Sequence, residues 1–282
     1  MAPMEQFNGK VAVVTGAASG IGAALSRRFA SEGMRVVLAD VEEARLREQA
    51  AELTAAGAEV LAVPTDVSRG DDLDRLAAEA NAAFGAVHVL CNNAGVGAGG
   101  LLSELTHEDW EWVLGVNLWG VIHGLRAFLP GMLAHGEDGH IVNTASLAGL
   151  VSAPMMGPYG ASKFAVVGIT EALYHELQLS GSRLGASVLC PGWVNTNIHA
   201  SERNRPTTLG GAGMATAGDP RADMLRQILE AGMAPDDVAN LVVEAMSEGR
   251  FYVLTHPEMT PAVEARMRAI VDGHNPRLSL AM

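Results

Sequence analysis

Residues 11–33 read VAVVTGAASGIGAALSRRFASEG, a strand, a glycine turn and a helix in immediate succession. Val11 to Val14 is an unbroken apolar run, as expected of a strand covered on both faces. ALSRRFASEG has a helical pattern and ends at Gly33, the usual helix-stopping residue. Between the two, Gly16, Gly20 and Gly22 follow the spacing Gly-x3-Gly-x-Gly. Glycine at such positions allows a tight turn, close approach of backbone to a pyrophosphate, and close strand–helix packing. A helix starting near Ile21 offers free N–H groups and a partial positive charge. Gly16, Ser19, Gly20, Ile21 and Gly22 are therefore the expected cradle for a dinucleotide.

The same alternation continues outward. Further strand candidates are VVLA from Val36, VLAV from Val60, VHVL from Val87, HIVN from His140, ASVL from Ala186 and FYVL from Phe251. Ala/Leu-rich helical segments such as EEARLREQAAELTAAG and DDLDRLAAEANAAFG separate them. Seven apolar runs alternating with helices predict an α/β fold, an open, doubly wound (Rossmann) parallel sheet with helices on both faces. No linker or repeat divides the chain, so one domain is expected over residues 1–282. From Asn195 to about Pro235 the sequence turns Gly-, Thr- and Pro-rich, with a short helical pattern near Met224 to Ala231. Such an insert is expected to be a lid or binding loop.

Composition bounds the partners. Hydrophobic residues make up 49% of the 282 residues and charged residues 18%, with a formal net charge of −13. That charge argues against nucleic acid or an anionic membrane, both polyanions. No apolar run approaches the roughly 20 residues that cross a bilayer. The N-terminus MAPMEQFNGK lacks the pattern of a secretory signal, and a cytoplasmic location is expected. Cys91 and Cys190 lie in strand-like runs and read as small buried hydrophobes in a reducing compartment. The nine histidines are scattered, without HExxH or a cysteine pair, and no metal site is expected.

Ligands of open α/β sheets sit at the carboxyl ends of the strands. Asp40 ends the second strand, where an acid accepts hydrogen bonds from the adenosine ribose and repels a 2′-phosphate; its other reading is a cap for the following helix. No Arg or Lys occupies Ala17–Ser19 or Val41, which favours NAD over NADP. Asp66 and Val67 end the third strand and could border the adenine. Asn93, Ala94 and Gly95, in CNNAG, end the fourth, where small residues let backbone pass close to a cofactor. Each could instead be an ordinary strand-end turn.

Ser146 ends the fifth strand in NTASLAGL, and MMGPYGASKFA (Met155–Ala165) follows with Tyr159 and Lys163 four apart on one helical face, Pro158 starting the helix. Asn117 lies in GVNLWG, within a helical pattern between the fourth and fifth strands, and PGWVNT (Pro191–Thr196) follows the sixth. TGAASGIG, NNAG, Asn117, Ser146, YGASK and PGWVNT, in this order, resemble the short-chain dehydrogenase/reductase family over roughly Phe7 to Thr196. The resemblance implies a seven-stranded single domain and hydride transfer between a nicotinamide and an alcohol or carbonyl. It implies Tyr159 as general acid/base, its phenol lowered from a pKa of about 10 by the Lys163 charge and the oxidised nicotinamide. Lys163 would also bind the nicotinamide ribose, Ser146 would orient the substrate oxygen, and Asn117 would hold a water in a relay to the lysine. Pro191, Gly192, Val194 and Thr196 would hold the carboxamide. The interval of four, with Ser146 present, sets enoyl reductases aside in favour of C–O chemistry. A homodimer or homotetramer is implied.

Around the expected nicotinamide position, Gly97–Leu102 and Leu147–Met156 are small or apolar. Leu147, Leu150, Val151, Met155, Met156 and Trp193, with Met214 from the insert, suggest a bulky apolar or aromatic secondary alcohol or its ketone. The tail, about 256–282, resembles that of bacterial relatives that oxidise aryl side-chain alcohols, including lignin-derived ones; its other reading is an extra helix at a subunit interface. Two alternatives stand beside this: an NADPH-linked 3-oxoacyl or other carbonyl reductase, which Asp40 disfavours, and a non-catalytic nucleotide-binding scaffold.

Overall fold

The computed structural model describes residues 3–210 and 220–277. The expected Met214 wall position lies outside them. Seven parallel strands form one sheet in the order β3-β2-β1-β4-β5-β6-β7. They are β1 Val11–Thr15, β2 Arg35–Asp40, β3 Val60–Pro64, β4 Val89–Asn92, β5 Gly139–Thr144, β6 Leu184–Cys190 and β7 Tyr252–Leu254. The strand order reverses direction between β1 and β4, which opens a crevice at their carboxyl ends.

Alternate residues of each strand feed two separate cores, which is why the runs are apolar without interruption. Ala12, Val14, Val36 and Leu38 pack with Leu25 and Phe29 of α1 (Gly20–Ser31), Leu46 and Leu53 of α2 (Glu43–Ala55), and Val238, Val242 and Met246 of α8 (Pro235–Glu248). Val11, Val13, Val37 and Ala39 pack on the other face with Leu73 and Leu76 of α3 (Gly70–Phe84), Phe128 and Met132 of α5 (Gly120–His135), and Leu173 and Leu177 of α6 (Gly157–Leu179). Both cysteines are buried free thiols; burial pushes the Cys190 thiol up to about 12, so it stays protonated.

Between β4 and β5, α4 (His107–Leu114) runs through a π-turn at Gly115–Trp119 into α5, giving one helical stretch of 29 residues. By length and composition alone this stretch is enough to cross a bilayer, but polar residues interrupt its apolar ones, in keeping with the sequence expectation that no apolar run of that length occurs. Trp112, Val113, Asn117, Val121, Phe128 and Met132 of this stretch are buried in the fold.

The insert departs from an irregular loop. A 3₁₀ segment spans Asn197–Asn204, and α7 spans Pro220–Glu230, four residues earlier at its start than the sequence pattern indicates. In the tail, α9 (Thr260–Val271) has no buried residue and meets α6 through Arg266, whose guanidinium lies 4.8 Å from the Phe164 ring centroid.

Candidate active site

A cleft of about 1390 Å³ opens at the carboxyl ends of the strands. Its floor is the glycine turn. Gly16 has φ +68° and Gly20 φ +53°, a region that L side chains rarely occupy. A Cβ on Gly22 would stand 2.0 Å from the Gly16 carbonyl oxygen, so α1 could not approach β1 with any side chain there. Gly22 thus belongs to the packing beneath the cleft, while Gly16, Ser19, Gly20 and Ile21 line it.

These residues fit a dinucleotide. Ser19 makes no side-chain cap to α1, and the first turn of the helix carries no acid, so its positive end faces the cleft uncompensated. Asp40 ties the turn to β2: one carboxylate oxygen accepts from the Ala18 N–H at 3.0 Å, the other from the Glu42 N–H at 2.9 Å. Burial pushes its carboxyl above the usual range, and these N–H bonds pull it back. Asp40 lines the cleft, and these bonds leave its carboxylate with lone pairs to spare. Asp66 and Val67 line the next stretch, Asp66 being held by the Ser68 N–H at 3.0 Å and the Ser68 hydroxyl at 2.7 Å. Asn93, Ala94 and Gly95 continue the wall.

Thr15, to which the sequence reading gave no task, organises this turn. Its hydroxyl donates to the Cys91 carbonyl at 3.3 Å and accepts from the N–H groups of Asn93 and Ala94 at 2.9 and 3.0 Å. Asn93 Nδ2 returns to the Thr15 carbonyl at 3.0 Å, and its Oδ1 accepts from the Thr144 hydroxyl at 3.2 Å. The ends of β1, β4 and β5 are thereby locked together.

At the far end, Ser146 caps the short 3₁₀ turn Leu147–Gly149 by accepting from the Ala148 N–H at 3.1 Å. Tyr159 and Lys163 stand on the first turns of α6, which starts at Gly157 with Pro158 in its first turn. Ser146, Tyr159 and Lys163 share one wall of the cleft. Lys163 is 3% exposed, with Nζ donating to the Thr144 carbonyl at 2.9 Å and lying 5.6 Å from the Tyr159 ring centroid. Burial pushes its ammonium down to about 8.

The expected lowering of the phenol is not what this arrangement produces by itself. Burial pushes Tyr159 above its ordinary value, and hydrogen bonding to Ser146 is what pulls it back. The enclosed site disfavours a lone phenolate more than the serine helps it.

Asn117 does not wall the cleft. Fully buried on the π-turn, it accepts from the Val96 N–H at 2.8 Å and donates to the Val96 carbonyl at 3.0 Å and the Ser162 hydroxyl at 3.2 Å. It pins the segment after β4 against α6, directly behind Gly95 and Lys163.

Pro191, Gly192, Val194 and Thr196 all line the cleft. The Pro191 carbonyl accepts from the Leu147 N–H at 2.8 Å, and Thr196 sits against Gly20, closing the end of β6 onto the glycine turn.

Of the expected substrate wall, Leu147, Met156 and Trp193 line the cleft, joined by Ala148, Ala153 and Pro154. Met155 is a correction. Its side chain is not on the wall; its backbone, at φ +64°, presents a carbonyl to the Gly100 N–H at 2.8 Å. Left-handed backbone in a non-glycine residue costs about 1 kcal/mol, and a turn crossing to the 97–102 segment imposes it here. Leu150 and Val151 pack away from the cleft as well, and Leu101 and Leu102 are exposed.

Residues missed by sequence reading complete the enclosure. Trp110, Leu209, Leu225, Leu229 and Met259 add apolar wall, and Glu42, Arg203 and Asn204 close the end beside Asp40. The 3₁₀ segment lies across the opening, where Ser201 accepts from the Gly97 N–H at 3.0 Å.

Comparison with known proteins agrees with this construction. The chain is 35% identical over 277 residues to the CLA biosynthesis dehydrogenase/reductase of Lactiplantibacillus plantarum, covering 95% of each. It is 33% identical over 274 residues to a C alpha-dehydrogenase of a Sphingobium strain, covering 97% of this chain and 89% of that one. A solved short-chain dehydrogenase/reductase from Burkholderia phymatum, in complex with NAD, superposes with a TM-score of 0.95 at 49% identity, covering 99% of this chain and 100% of that one. A family model described as short chain dehydrogenase matches residues 10–207. This chain belongs to the short-chain dehydrogenase/reductase family of oxidoreductases.

Proposed function

We propose that the protein is an NAD-dependent dehydrogenase interconverting a bulky apolar or aromatic secondary alcohol and its ketone. The observation that carries this reading is the shared wall of Ser146, Tyr159 and Lys163 beneath an apolar cleft that also contains the glycine cradle and Asp40. NAD held in this cleft would supply the hydride acceptor and, when oxidised, a positive charge that favours the phenolate. The Ser146 hydroxyl holds the substrate oxygen, and Tyr159 takes the hydroxyl proton during oxidation, returning it in reduction. Lys163, fixed by the Thr144 carbonyl, keeps a cation behind the phenol, and its lowered value lets it pass a proton onward near pH 8. Asn117 acts as a positioning residue, holding Val96 and Ser162 around that lysine; its Oδ1 keeps one lone pair for a relay water. Leu147, Met156 and Trp193 exclude water and seat the apolar substituent.

The relatives support this reading: one is named a C alpha-dehydrogenase and another binds NAD. Leu133 of α5 and Leu179 at the end of α6 are exposed apolar residues and support assembly as a homodimer or homotetramer. The two free, buried cysteines are consistent with a reducing, cytoplasmic setting.

Initial rates with NAD and NADP across a panel of alcohols test the proposal. NAD should be preferred, and 1-arylalkanols should have higher kcat/KM than small charged hydroxy acids. Turnover confined to the hydroxy acids would reject the substrate class.

A further inference from the structure

At the end of β2, the cleft wall carries two acids and one cation brought from the opposite side. Arg203, on the 3₁₀ segment, reaches across to Glu42: its Nη2 and Nε donate to one carboxylate oxygen at 2.6 and 3.1 Å. Asn204 Nδ2 donates to the same oxygen at 3.0 Å. Arg203 Nη1 donates to the carbonyls of Asn197 and Ala200 at 3.1 and 2.8 Å, so the guanidinium has a fixed orientation. Its Nε–Nη2 edge is the geometry that grips a phosphate with two parallel hydrogen bonds, and Glu42 occupies that edge. Asp40, Glu42, Arg203 and Asn204 all line the cleft, and Asp40 lies two residues from Glu42.

We infer that Glu42 is a cofactor-specificity residue, and that by occupying Arg203 it silences a latent binding site for the 2′-phosphate of a dinucleotide. The inference rests on the NAD reading above. Asp40 turns the phosphate away by its own charge, while Glu42 occupies the guanidinium edge of Arg203 that would receive it. Arg45, whose Nε lies 3.5 Å from the other Glu42 oxygen, is a second and more exposed cation at this end.

The test is binding to the free protein, read by titrating the fluorescence of NADH and NADPH. Glu42→Ser and Glu42→Gln are measured together, because glutamine can still accept from Arg203. Relief of Arg203 should raise the NADPH-to-NADH affinity ratio by about tenfold or more in Glu42→Ser, with Asp40 intact. Adding Arg203→Ala should return the ratio toward that of the wild type. A ratio that does not move, or a gain that survives loss of Arg203, overturns the role assigned to the pair. A wild-type protein that already binds NADPH more tightly than NADH overturns the NAD reading itself, and this inference with it.

Discussion

Tyr159→Phe lowers kcat by about a thousandfold, within the range for loss of a positioned general acid/base, while NADH affinity stays within about threefold. The phenylalanine keeps the ring beside Lys163 and removes only the hydroxyl. The phenol is neutral at pH 7 in both the folded and the unfolded chain, so the stability loss should be limited to the Ser146 hydrogen bond, about 1 kcal/mol. The split between kcat and cofactor affinity is what distinguishes a proton-transfer role from a packing role. Turnover surviving in Tyr159→Phe would remove the phenol from the mechanism. The substitution also separates an enzyme from a nucleotide-binding scaffold, because a scaffold would show no turnover to lose.

Arg205→Met destabilises the protein by about 3 kcal/mol, the loss expected when one partner of a buried ion pair is removed. Arg205 and Asp109 side chains are 6% and 5% exposed and meet at 2.7 Å. Arg205 Nε donates to the Leu209 carbonyl at 2.6 Å and Nη2 to the Gly210 carbonyl at 2.7 Å, and the guanidinium lies 5.0 Å from the Trp112 ring centroid. One arginine therefore holds the end of the 3₁₀ segment against α4 and fixes Leu209 in the cleft wall. Asp109 also completes the capping box of α4 with Thr106, so the uncompensated carboxylate would weaken that helix start. The melting temperature should fall by several degrees, with KM for the alcohol rising more than the Kd for NADH. In the double variant Asp109→Asn/Arg205→Met, part of the loss should be recovered, because no buried charge is left alone. Equal stability of Arg205→Met and wild type would show that this end of the segment is not held by the pair.

All seven strands were legible because a sheet covered on both faces makes its strands apolar throughout, and glycine marked the turn where backbone must approach backbone. Ser146, Tyr159 and Lys163 were legible only together with the other motifs, through the family resemblance; their spacing alone is ordinary helical geometry. Harder to read were contacts between residues distant in sequence. Arg203 and Glu42 are 161 positions apart, and Ser201 and Gly97 are 104 apart, so no local spacing announces either pair. The two adjacent methionines, Met155 and Met156, show a different limit. They look equivalent in sequence, yet the left-handed backbone of Met155 leaves only Met156 on the wall. Asn117 was found by its motif, but the π-turn that buries it has no marker in the pattern of apolar residues.

Oxidation by this enzyme moves a hydride from a carbinol carbon to the nicotinamide, with Tyr159 handling the proton. Its most direct test uses a secondary aryl alcohol carrying deuterium at that carbon, incubated with NAD and the enzyme. One deuterium should appear at C4 of the reduced nicotinamide, with the ketone as co-product in equal amount. Ketone formed without deuterium in the nicotinamide, or a cofactor left oxidised while every alcohol offered persists, would contradict it.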